Sequence, residues 1–215
     1  MSSILPELAS SQNRKDEGPN KALSQRLVDS MGLVGIREAA DNLNNNDRKI
    51  RIDCLAVLEQ VGLLEPALIE DYLEDFYNLA LSDDNRLVWA AMINIALIAD
   101  RKPDAILEKF AEIVKIINKG TVITQDNGIK ILARAGATSL RHNNIVCPYL
   151  MSQLRNCRPK SLPQYAESIQ VAVRPENKTQ FLEILTVRID ELSTAQKKGS
   201  PRCSLVLNNS LLQSS

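Results

Sequence analysis

Few side chains in this sequence are of a type that does covalent chemistry, and none stands in a spacing that such chemistry requires. The one histidine, His142, lies in the polar stretch Leu140-Arg141-His142-Asn143-Asn144. There it reads as a solvated turn residue that caps a helix. A general base would need a Ser or Cys nucleophile signature near it, and there is none. The four cysteines, Cys54, Cys147, Cys157 and Cys203, form no CxxC pair and no metal-ligand cadence. Cys54 and Cys147 fall in apolar columns and read as small core residues, while nothing marks Cys157 or Cys203 as activated. A reducing, cytoplasmic setting follows from this cysteine usage. P-loop, GxGxxG and HExxH patterns are absent. The reading is therefore of no catalytic residue, no metal and no cofactor.

What remains is ionic chemistry. Lys plus Arg and Asp plus Glu number 26 each, so the whole chain exerts no net pull on a polyanion or a membrane surface. Locally the balance is uneven. From Glu65 to Leu81 the acids Glu65, Glu70, Asp71, Glu74 and Asp75 meet no base. From Asp104 to Lys119 acids and bases cancel. From Arg141 to Lys160 the bases Arg141, Arg155, Arg158 and Lys160 meet no acid. Such a graded series suits charge-steered recognition of a protein segment. The candidate partner-binding residues are Asp71, Glu74, Asp75, Asn78 and Lys115, with Arg155, Arg158 and Lys160 at the basic end. The competing reading is an ordinary solvated helix face. Trp89 is either a filler between helices or an exposed anchor for a partner.

These side chains must be positioned by helices. Ile50, Leu55, Leu58 and Val61 recur 37 residues on as Leu87, Met92, Ile95 and Ile98. The last three recur again as Ile129, Leu132 and Ala135, and then as Ala166, Ile169 and Ala172. A second column set joins Leu73, Phe110, Cys147 and Ile184, and Phe76, Ile113, Leu150 and Val187. Ile36 and Ala39 extend it backwards. Pro66 and Pro103 share the period. A helical unit that cannot bury its apolar face alone must stack on its neighbours. The fold class expected is all-α, an α-solenoid of about five antiparallel helix pairs. With 44% hydrophobic but only 4% aromatic residues, aliphatic side chains would fill its core. Asn20 is expected to cap the first helix, and Gly32, Gly62 and Gly136 to end helices. Residues 1–19 read as a flexible segment, 20–192 as the solenoid and 193–215 as a mobile polar tail. No apolar run is long enough to span a membrane.

The sequence resembles the HEAT repeat family from about Asn20 to Leu192. In that family the first helix of a unit follows an acidic turn residue with an aliphatic–Arg pair, a small residue, leucines and a glycine. Asp47, Ile50-Arg51, Cys54-Leu55, Leu58 and Gly62 match this cadence. Asp84, Leu87-Val88, Ala91-Met92, Ile95 and Ala99 match it with Val88 in the basic position, and later units depart further. The resemblance implies paired helices whose second members line a concave face. Its functions are many, so it transfers little chemistry. The leading expectation is a non-enzymatic scaffold or adaptor holding a protein segment on that face. The alternative is a nucleic-acid-binding protein resembling the DNA alkylation repair glycosylases, which zero net charge disfavours. An exposed terminal pair would also allow a homodimer.

Overall fold

The computed structural model describes residues 3–188 and 191; the expected tail over 193–215, and Cys203 with it, lies outside the described residues. Among the described residues there are eleven α-helices and no strand. They are α1 (Gly18–Asp29), α2 (Leu33–Asp41), α3 (Arg48–Leu64), α4 (Leu73–Ala80), α5 (Asn85–Ile98), α6 (Pro103–Glu108), α7 (Phe110–Lys119), α8 (Val122–Ala137), α9 (Leu140–Asn156), α10 (Leu162–Gln170) and α11 (Pro175–Arg188). None is long and apolar enough to cross a membrane.

The chain divides into two units. The first comprises residues 1–102 with 111–128, and the second 103–110 with 129–215. In the first, α3 packs between α1 and α5, while α2 lies on α3 and α4 on α5. This is the row of stacked pairs that the 37-residue period requires. Leu55, Leu58, Val61, Leu87, Met92, Ile95 and Ile98 are all buried. In the second unit α9 packs against α6, α10 and α11, and Ile129, Leu132, Ala135, Ala166, Ile169 and Ala172 are buried as their register predicts. The other column set is less uniform. Leu73, Phe76, Ile113, Leu150 and Ile184 are buried, Phe110 and Cys147 are half-buried, and Val187 is 77% exposed.

Helix starts follow local capping chemistry. Asp47 accepts from Lys49 N at 2.8 Å and Asp84 from Arg86 N at 2.9 Å, so equivalent acids 37 residues apart satisfy first-turn donors of α3 and α5. Pro66 opens a 3-10 turn, Pro66–Leu68, rather than a long helix; a second such turn, Glu70–Tyr72, precedes α4.

Several local expectations differ from what is observed. Asn20 is not a cap but a buried member of α1: its Oδ1 accepts from Ala9 N at 2.9 Å and its Nδ2 donates to Asp53 Oδ1 at 2.9 Å. Those bonds hold down residues read as flexible, and Ile4, Leu8 and Ala9 are buried. Three apolar residues with a buried amide suffice to dock so short a segment. Gly62 and Gly136 do not end helices; α3 and α8 run through them. A Cβ on Gly62 would lie 2.3 Å from Ile69 Cδ1, and one on Gly136 2.3 Å from Val146 Cγ2. These glycines serve close packing. The left-handed residue at the first helix pair's turn is Met31, φ 53°, not Gly32.

Candidate functional site

His142 is where the structure most changes the chemical reading. It is buried, not solvated, and sits in the first turn of α9, which Ser139 caps. Its Nδ1 is 2.6 Å from Thr138 Oγ1 and its Nε2 3.0 Å from Asp104 Oδ1. A hydroxyl, an imidazole and a carboxylate in line have the composition of a hydrolytic triad. The hydroxyl, however, lies 2.7 Å from the carbonyl of Ala135, to which it donates. Its proton points away from the ring, so the imidazole is not set to remove it. The arrangement ties α6 to the start of α9 within the second unit.

None of the three described cysteines has an activated thiol. Cys54 is fully buried, and burial, with Asp53 and Glu38, pushes its thiol up to about 12. Cys147 and Cys157 are half-buried and also raised by burial. Cys157 adjoins a cap: Arg188 donates to Leu154 O at 2.7 Å and to Cys157 O at 2.6 Å, closing α9 from α11. Among the described residues no three His, Cys, Asp or Glu side chains converge as a metal site would need.

The acidic candidates gather on and just before α4, in the first unit. Asp71 is exposed but accepts from Lys102 Nζ at 3.0 Å, and Glu70 is paired with Arg101. Two bases in the turn before Pro103 thus offset charge that segment-by-segment counting leaves unmatched. Asp75 differs. It is half-buried, and burial first, then Asp41 and Glu74, holds its carboxyl above the ordinary carboxylate range. Asp41 comes from α2, so the crowding joins two second-position helices. Tyr72 stands in the same field: burial raises its phenol, Arg37 opposes this, and Asp41, Asp71 and Asp75 add to it. Glu74 and Asn78 are exposed on the same helix. Asp41 lies outside the candidate set, although the backward extension of the columns through Ile36 and Ala39 points to its helix.

Further along the first unit, Tyr77 donates to Glu112 at 2.6 Å, linking α4 to α7. Lys115 of α7 is exposed and lines a cleft of about 500 Å³ with Lys119, Leu81, Val88 and Ile116. The basic candidates Arg155, Arg158 and Lys160 are exposed and belong to the second unit. Arg158 donates to Ser161 Oγ at 3.2 Å. Trp89 is half-buried, with the Arg86 guanidinium 5.5 Å from its ring centroid.

No family model matches the chain, and no curated protein does. Among solved structures it is similar to a designed armadillo repeat protein in complex with the peptide (KR)4, at 14% identity. That likeness covers 96% of this chain and 99% of the other, with a TM-score of 0.66. It is also similar to an engineered protein at 13% identity, covering 95% of each chain, with a TM-score of 0.60. At such identities the likeness is one of fold. The chain is an all-α helical-repeat solenoid.

Proposed function

We propose that this protein is a non-enzymatic, HEAT-like adaptor of the cytoplasm that binds a basic protein segment on the α2 and α4 side of its first unit. The observation that carries the reading is Asp75. An ionised carboxylate half-removed from water and crowded by Asp41 and Glu74 is unfavourable in the free protein. A lysine or arginine delivered by a partner relieves that repulsion. Asp71, Glu74 and Asn78 widen the receiving surface, with Tyr72 as an aromatic platform for a guanidinium. The fold neighbour supports the reading, since its own complex is with a peptide of alternating Lys and Arg. Arg155, Arg158 and Lys160, in the second unit, are proposed to meet acidic side chains of a protein partner.

The test is fluorescence anisotropy with labelled (KR)4 and with an acidic peptide of equal length. The basic peptide is expected to bind, more weakly as salt rises. Reversal of Asp71, Glu74 and Asp75 to Lys is expected to abolish that binding. Equal affinity for both peptides, or binding unchanged in the reversed variant, sinks the proposal.

A further inference from the structure

We propose that a second cleft of the first unit, formed by residues 9–17 and the first turns of α3 and α5, binds a small phosphate monoester. Its volume is about 460 Å³, within the range of small-molecule sites. It is a built site. Asp53 Oδ2 accepts from Ser10 N at 2.8 Å, and Asn20 bridges Ala9 to the other oxygen of Asp53. The segment that closes the cleft is thereby fixed to α3.

The charges that line it are unequally satisfied. Each lining acid is engaged: Asp53 by those two donors, Asp16 by Arg14 and Gly18 N, and Glu17 by Lys21. Arg48 is paired with Asp84 outside the cleft. Lys15, Lys49 and Arg86 line the same cleft with no carboxylate partner among the described residues. Lys49 and Arg86 are 37 residues apart, so the repeat itself sets two cations at equivalent places on packed helices α3 and α5. Arg86 rests on Trp89 by one face, which leaves its N–H edge for an oxyanion.

Three cations match a compact dianion better than a single carboxylate. Ile52 and Ala56, also lining the cleft, give the ester's organic part an apolar wall. Asp16 and Glu17, which also line the cleft, favour a compact anion over a long polyanion, whose neighbouring phosphates would meet them.

The experiment is calorimetric titration of the full chain at low salt with AMP and, separately, O-phosphoserine, with adenosine and serine as phosphate-free controls. Saturable binding is expected for at least one phosphorylated probe, with a Kd near or below about 1 mM, competed by inorganic phosphate. The tighter probe identifies the organic part the cleft prefers. Lys49→Ala with Arg86→Ala is expected to weaken binding at least about tenfold. Lys15→Ala, on an exposed side chain before α1, is expected to weaken it about threefold and serves where the double variant is unstable. The proposal is overturned if neither AMP nor O-phosphoserine saturates, whether or not inorganic phosphate does. It is equally overturned if variants that keep the wild-type circular dichroism and Tm bind as tightly as the parent, or if the phosphate-free controls bind as well.

Discussion

At the residue scale, two aspartates in the first unit have opposite environments, and their pH behaviour should differ in sign. Asp84 is held down to about 2, chiefly by the Arg48 guanidinium and then by N–H donors at the start of α5. A depressed carboxyl contributes stability that is fully present above its unfolded value of about 4 and is lost as pH falls through its folded value. Asp84→Asn keeps a capping oxygen but should flatten the stability profile between about pH 4 and pH 2, as acid titration followed by circular dichroism would show. Asp84→Ala removes the cap as well and should cost about 1 kcal/mol more at neutral pH. Asp75 is raised instead, by burial and by Asp41 and Glu74. Its favourable contribution belongs to the protonated form, present below about pH 4 and lost as pH rises through the folded value. Asp75→Asn should therefore raise or preserve thermal stability at neutral pH while weakening (KR)4 binding. A variant that loses stability there would show that Asp75 is a structural carboxylate. Neither environment is legible in the sequence, because both depend on side chains brought in from other helices.

At the element scale the sequence is most informative where apolar side chains repeat and least where a small or polar residue has two uses. Leu55, Met92, Leu132 and Ile169 are buried because each helix start has one face that must leave water. A glycine near the end of such a run looks like a stop signal, yet Gly62 and Gly136 are helical because a neighbour's side chain occupies the space a Cβ would need. Gly62→Ala should thus lower Tm although alanine is the better helix former by about 1 kcal/mol. The clash with fully buried Ile69 is expected to cost about 1–3 kcal/mol. A rise in Tm would show that the contact yields. Buried amides behave similarly. Asn143 lies in a polar stretch of the sequence, yet its Nδ2 donates to Ala172 O at 2.7 Å and its Oδ1 accepts from Asn177 at 2.8 Å. Asn177 in turn accepts from Arg174 N at 2.9 Å. Asn177→Leu leaves that oxygen and that N–H without their partner, and should destabilise the chain by about 1–3 kcal/mol per group in denaturant unfolding.

At the scale of the whole molecule, equal numbers of acids and bases remove any net field, so recognition of a charged segment must come from where the charges stand. The repeat explains why such placement is partly readable and partly hidden. It sets Lys49 and Arg86 in register, but it says nothing of Arg101 and Lys102, which reach back to Glu70 and Asp71. Nor does it locate Asp41 beside Asp75. Local placement and total charge can be separated. Reversing Asp71, Glu74 and Asp75 to Lys gives the same net charge as reversing Asp29, Glu108 and Glu176, which are exposed acids elsewhere. If the α4 carboxylates receive a basic segment, only the first variant should lose (KR)4 affinity at physiological salt, where the Debye length is about 8 Å and distant charges are screened. At low salt the second should weaken too, though less, because unscreened repulsion then reaches the peptide from any part of the surface. Equal losses at both ionic strengths would mean that the peptide responds to net charge alone, and that the crowded carboxylates of α2 and α4 have no special part in binding.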